Sequence, residues 1–387
     1  MKIAIITFWW SEDNYGQILQ CYALQKYLRD MGHDAYVVRH CLWSDIIKPS
    51  AWKKILKVFN PIKLYKFVAS KKRRIADIRE KYDNPRNFEG FRNKYIKQSP
   101  RTYFSSDELV KNPPVADIYI VGSDQVWNTD TFGVPVNMAI NLINVYLLNF
   151  GDKSIRRISY AASFGKESRE IDDNLINIFT PLLKKFDYVS VREKTGLEIC
   201  KRCGVDTAEW VLDPTMLLDV NIYRALYRDE KITNRPNKPY CFLYLLGHKI
   251  DISFQIIYDW AKSKDIEIVY VTMDSQPNKH KKTYATIPEW IYLLEHAEYV
   301  ITNSYHCTIF SLLFKRKIGI ITLVGKDMGM NSRFDTIFQL FGVEDRVIKT
   351  DMSILDNAIN WQSISNTLLS AKNTSKLRDI VNECINC

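Results

Sequence analysis

Three short polar segments hold the residue types that acid–base and anion chemistry need. Thr302-Asn303-Ser304-Tyr305-His306-Cys307 follows the apolar run Tyr299-Val300-Ile301 and opens another from Ile309 to Phe314. Gly122-Ser123-Asp124-Gln125-Val126-Trp127-Asn128 follows Ile118 to Val121, and Asp13-Asn14-Tyr15-Gly16 follows a run that starts at Lys2. Each reads as strand, polar turn, helix. At such a junction the first free N–H groups of the helix and its positive dipole end point into the turn, where an anion is held. His306 is the leading candidate, because imidazole changes charge near neutral pH and can bind a phosphate or give up a proton. The competing reading of His306 is a satisfied core histidine.

Arginine is suited to a two-pronged grip on carboxylate or phosphate. Arg192, in Val189-Ser190-Val191-Arg192-Glu193, stands at another strand end, with an ion pair to Glu193 as the alternative. Arg333, in Asn331-Ser332-Arg333-Phe334, is a similar case. Asp124 beside Gln125, Trp127 and Asn128 suits sugar hydroxyls, with the carboxylate as general base; Ser123 or Asp124 could instead cap a helix. Gly16 permits close approach of a ligand, or only makes the turn. Asp213, before Pro214-Thr215, reads as a helix cap.

The elements that must position these residues alternate. Strands are expected at 2–8, 35–38, 118–121, 146–150, 157–161 and 188–191, with helices over 17–31, 171–185 and 193–203. After a charged stretch with Pro236 and Pro239, a second set begins, with strands at 241–246, 266–272, 299–301 and 317–322. Short apolar runs alternating with helical spacing argue for parallel sheets covered on both faces. The expectation is an α/β protein of two Rossmann-like doubly wound domains facing a cleft: residues 1–227, a linker at 228–240, a second domain at 241–350, and C-terminal helices at 351–387. A chain of 387 residues suits two cores better than one.

The net charge of +10 is concentrated. Between Lys48 and Arg101 there are 17 Lys/Arg against 4 Asp/Glu, and the rest of the chain is slightly acidic. Interleaved apolar residues give this stretch the pattern of a basic helical insertion, suited to an anionic membrane surface or to packing on the domain. No nucleic-acid module accompanies the charge, so nucleic acid is not expected as a partner. The uncharged run from Thr131 to Gly151 contains Pro135, Asn137, Asn141, Asn144 and Asn149 and is too polar for a lipid core. A cytoplasmic protein, peripheral on the inner face of the membrane, is expected. The pairs Cys200/Cys203 and Cys384/Cys387 have CxxC spacing but no nearby histidine, and no metal site is expected. Walker, GxSxG, HExxH and GxGxxG patterns are absent from the sequence.

Taken together, these segments resemble the polysaccharide pyruvyl transferase family. The resemblance runs from Asn14-Tyr15-Gly16-Gln17 through Gly122 to Asn128, Ser159-Tyr160-Ala161-Ala162-Ser163-Phe164-Gly165, Ser190-Val191-Arg192-Glu193, Leu212-Asp213-Pro214-Thr215 and Asn303-Ser304-Tyr305-His306, to Ser332-Arg333-Phe334. It implies a fold like that of the two-domain (GT-B type) glycosyltransferases. It also implies phosphoenolpyruvate as donor, a sugar or lipid-linked oligosaccharide as acceptor, and a cyclic pyruvate ketal and phosphate as products, with no cofactor or metal. His306 and Asp124 would then be catalytic. Arg192, Asn303, Ser304 and Arg333 would bind the donor, and Asn14, Tyr15, Gly16, Gln125 and Trp127 the acceptor. Other branches carry an arginine two residues before the histidine, where this chain has Ser304, so the donor's charge falls to Arg192 and Arg333. Two other readings compete: a nucleotide-sugar-dependent glycosyltransferase of similar fold, and a non-catalytic membrane-surface protein of polysaccharide assembly.

Overall fold

The computed structural model describes residues 1–41, 85–132, 136–247, 250–273, 280–325, 331–373 and 375–383. Residues 48–84 of the basic stretch, and Cys384/Cys387, lie outside the described residues.

Two five-stranded parallel sheets organise the chain. The first is built from β1 (Lys2–Ile6), β2 (Asp34–His40), β3 (Gln98–Tyr103), β4 (Ile118–Val121) and β5 (Arg156–Ser159), in the order β3-β2-β1-β4-β5. A short pair, β6 (Ser190–Val191) with β7 (Glu209–Trp210), hangs beside β5 through bridges at Ile158–Tyr188 and Ala162–Val191. The second sheet comprises β8 (Tyr240–Leu245), β9 (Glu267–Thr272), β10 (Tyr299–Thr302), β11 (Lys317–Ile321) and β12 (Val347–Ile348), in the order β12-β11-β10-β8-β9. The central strands are buried on both faces: Ile3, Ile5 and Ile120 on one face of the first sheet and Ala4, Ile6 and Val121 on the other, and in the second sheet Phe242, Val300 and Ile318 on one face and Leu243, Ile301 and Ile321 on the other. That double burial is why they read as continuous apolar runs.

Both strand orders reverse at a central point, between β1 and β4 and between β8 and β10. In open α/β sheets ligands bind outside the carboxyl ends of the strands at such points. Here the carboxyl ends of the two sheets face each other across one cleft. One core cluster joins the halves. At its centre Tyr15 stacks on Trp290 with ring centroids 5.4 Å apart, and its hydroxyl donates to the Ala285 carbonyl at 2.6 Å. The helices Trp361–Asn373 and Leu377–Glu383 return the chain to the first half. There Lys372 donates to the Leu218 carbonyl and Lys376 pairs with Glu209.

The structure corrects two expected elements. Tyr146 to Phe150 is not a strand: Tyr146 ends the helix Val136–Tyr146, and a turn with Leu148 at φ 52° follows. Its apolar character serves burial of that turn, and a short apolar run alone does not distinguish a strand from a buried helix end. The basic insertion does not extend to Arg101. The helix Phe88–Tyr95 buries Phe88 and Phe91 in the core, and Gln98–Tyr103 is the edge strand β3. Pro100 and the polar residues of β3 suit an edge and hid it from a pattern search.

Candidate active site

The cleft holds a cavity of about 600 Å³ walled by both halves. The first half contributes the loop after β1, with Ser11, Glu12, Asp13 and Asn14, the turn after β4, with Asp124 and Gln125, and Arg192 just past β6. The second half contributes Leu246 after β8, Met273 after β9, Ser304, Tyr305 and His306 after β10, and Arg333 after β11. Nearly every strand end that faces the cleft therefore supplies a wall.

Local structure explains the placement. The helix Tyr305–Leu313 starts at Ser304, whose hydroxyl accepts from the Cys307 N–H, so His306 lies in the first turn. The helix Tyr15–Asp30 starts at Asn14, whose side chain accepts from the Gln17 N–H at 3.2 Å. The two helix starts meet at Gly16 and His306. A Cβ on Gly16 would fall 2.5 Å from His306 Cβ and Nδ1, so glycine is the residue that admits the imidazole.

A buried ionic cluster lies under the cavity. Arg192 is 1% exposed. Its Nε donates to Glu193 at 2.9 Å, and its Nη1 lies 3.3 Å from Asp213 and 3.5 Å from Asp124. Its guanidinium stacks 4.2 Å from the centre of the Tyr305 ring, a contact that crosses from one half to the other. Burial opposes the Arg192 charge, but Glu193, Asp124 and Asp213 outweigh it and hold the group firmly protonated. Asp213 is fully buried and accepts from Ser123 Oγ at 2.8 Å and from the Thr215 hydroxyl and N–H. Burial pushes its carboxyl up; His306, Arg192 and Thr215 reverse this and hold it well below the usual carboxylate range. His306 Nε2 faces Asp213 Oδ2 at 3.5 Å. No hydrogen bond is formed at that distance, and the contact is ionic only when the imidazole is protonated.

Arg333 differs from Arg192. It is 5% exposed, and its Nε and Nη2 are buried without hydrogen-bond partners among the described residues. Burial, with Arg192 nearby, pushes its guanidinium down to about 10, against only partial help from Asp124 and Glu193. It is thus still charged at neutral pH. A buried cation with unmet donors at a cavity wall has the chemistry to take an anion.

The candidate residues separate accordingly. The cavity brings together His306, Asp124, Arg192, Arg333, Ser304, Asn14 and Gln125. Four candidates do not line it. Tyr15 is consumed by the contacts to Trp290 and Ala285 that join the halves. Gly16 makes room for His306. Trp127 is buried in the core of the first half, its indole N–H donating to the Tyr146 carbonyl at 2.9 Å. Asn303 is fully buried and ties β10 to β8 through the N–H and carbonyl of Leu246. Arg192, read as a grip on the donor carboxylate, is instead neutralised by three protein carboxylates. Asp213, read as a cap, does cap the turn Pro214–Met216 but also holds Arg192 and faces His306. Its signal was an aspartate at a strand end, the same signal that marked Asp124. Among the described residues no group of three or more His, Cys, Asp or Glu could hold a metal ion.

The polysaccharide pyruvyl transferase family model matches residues 14–319, most of the chain. The chain belongs to this family. It is therefore a transferase with a place in polysaccharide biosynthesis. All the candidate residues except Arg333 fall inside the matched span. No curated protein sequence matches the chain. Among solved structures, the polysaccharide pyruvyl transferase chain is similar to UDP-GlcNAc 2-epimerase from Methanocaldococcus jannaschii in complex with UDP-GlcNAc and UDP, at 12% identity and TM-score 0.47, covering 97% of this chain and 94% of that one. It is also similar to UDP-GlcNAc 2-epimerase from Neisseria meningitidis bound to UDP-GlcNAc, at 8% identity and TM-score 0.45, covering 100% and 99%. A third is the wall teichoic acid polymerase TagF, H444N variant, at 10% identity and TM-score 0.45, covering 100% and 88%.

Proposed function

We propose that this transferase moves the pyruvyl group of phosphoenolpyruvate onto two hydroxyls of a sugar in a surface polysaccharide or its lipid-linked precursor. The observation that carries the reading is the Arg333 guanidinium, two of whose buried nitrogens have no hydrogen-bond partner among the described residues, sharing one cavity with His306 and Asp124. Arg333 binds the donor's anionic end, with the N–H groups of the helix Tyr305–Leu313 beside it. His306 gives a proton to the methylene carbon, which becomes a methyl group, and positive charge develops at the adjacent carbon. The first sugar hydroxyl adds there and its proton passes to Asp124. Phosphate then leaves with the electrons of its C–O bond, and the second hydroxyl closes the ring. Of the two hydroxyl protons, one replaces that taken from His306 and one leaves with phosphate, so atoms and charge balance. Asp213 faces the nitrogen of His306 and offers a negative charge to its protonated form.

The 12 Lys/Arg between Lys48 and Lys81 support an acceptor presented at an anionic membrane surface on the cytoplasmic side. No helix among the described residues is long and apolar enough to cross a membrane.

The test is phosphate release from phosphoenolpyruvate in the presence of a lipid-linked oligosaccharide extract, with mass detection of the pyruvylated product. His306→Ala is expected to slow turnover by about 10²–10⁴-fold. Near-normal turnover by this variant removes His306 from the mechanism. Product formed from a UDP-sugar and not from phosphoenolpyruvate moves the protein to the glycosyltransferase reading.

A further inference from the structure

A second hollow shares one wall residue with the main cavity. Trp10, in the loop after β1, is 51% exposed and lines both the main cavity and this hollow of about 240 Å³. Its indole is fixed by Trp9, packed edge-on at 5.5 Å, and by the Arg92 guanidinium, 4.7 Å from its ring centre. Arg92 in turn donates to the Ser11 carbonyl and holds the loop. A large aromatic ring held in place at the surface and lining two hollows is a contact platform.

The second hollow is polar as well as aromatic. Arg39, Asn93, Gln98 and Thr102 line it. Arg39 Nη2 donates to the Pro100 carbonyl, but its Nε is buried without a partner. A sugar ring has one face of C–H groups, which packs on an aromatic π face, and a rim of hydroxyls for amide, hydroxyl and guanidinium partners. A lipid chain or apolar peptide would leave those partners unmet.

We propose that this second hollow binds the neighbouring sugar of the acceptor, stacked on Trp10 while the ring that receives the ketal occupies the main cavity. The acceptor is then a disaccharide or longer. This rests on the acceptor being a sugar, as proposed above.

The test uses the full chain and a panel of mono-, di- and trisaccharides of glucose, galactose, mannose and N-acetylglucosamine, with calorimetric titration and saturation-transfer NMR. At least one di- or trisaccharide is expected to bind about tenfold more tightly than its monosaccharide. Trp10→Ala is expected to erase that difference and Trp10→Phe to keep most of it. Trp10 is half exposed, and the melting temperature of each variant checks its fold. Equal affinity at all chain lengths, no binding by any panel member, or a length preference that survives Trp10→Ala overturns the proposal. The donor reading is scored separately, by the response of the wild-type chain to phosphoenolpyruvate, so either can fail alone.

Discussion

Arg192 and Arg333 reach the same cavity from opposite halves of the molecule, and both are almost fully buried. Arg192, from the first half, is met by Asp124, Glu193 and Asp213 and stacks on Tyr305. Arg333, from the second half, keeps two of its nitrogens without partners among the described residues. The difference teaches that burial and residue type do not by themselves mark a ligand-binding arginine. A buried charge whose counter-ions come from the protein organises the site. A buried charge without them has a place for an anion from outside. The first half thus supplies the ionic framework, and the second half supplies a cation whose donors are only partly met among the described residues.

The comparison breaks most visibly at Arg192. Arg192→Ala leaves three carboxylates without their shared cation and should destabilise the fold by about 3–5 kcal/mol, read as a lower urea midpoint. A loss below about 1 kcal/mol would show that the cluster does not organise the cleft.

Asp213 sharpens the comparison through pH. Its carboxyl is held below its ordinary value in the folded chain. Its contribution to stability is therefore present above the unfolded value of about 3.9 and is lost as pH falls toward the depressed folded value. Asp213→Asn should be less stable than wild type at pH 7, and the gap between their urea midpoints should close below about pH 4. A gap independent of pH would mean that the carboxylate charge is not what Asp213 contributes.

How far the sequence carried the account depends on what each residue does. The strand–turn–helix segments at Asp124 and His306 were legible, because parallel strands are apolar throughout and the polar turns interrupt them. Arg192 is legible at a strand end, and so is its ion pair with Glu193, given as the alternative reading; Asp124 and Asp213 are distant in sequence, so the buried cluster is not legible. Asp213 looked like a cap because a cap and an ion-pair partner share one sequence signature. Tyr15 and Trp127 do not line the cavity, and an aromatic beside a polar turn reads the same whether it faces a cleft or a core. The edge strand β3 was hidden by its polar residues and Pro100. Trp10 lay at the end of the first apolar run, where an exposed aromatic cannot be told from a buried one.

The most direct test of the central claim is the melting temperature of wild type and Arg333→Gln with and without phosphoenolpyruvate. At about 100 times its dissociation constant the donor should add roughly 2.7 kcal/mol to the wild-type fold. Arg333→Gln should lose that shift while its unliganded melting temperature stays level or rises, since the variant removes a buried charge that is only partly compensated. A shift that survives in Arg333→Gln, or a wild-type chain stabilised by a UDP-sugar and not by phosphoenolpyruvate, would contradict the account.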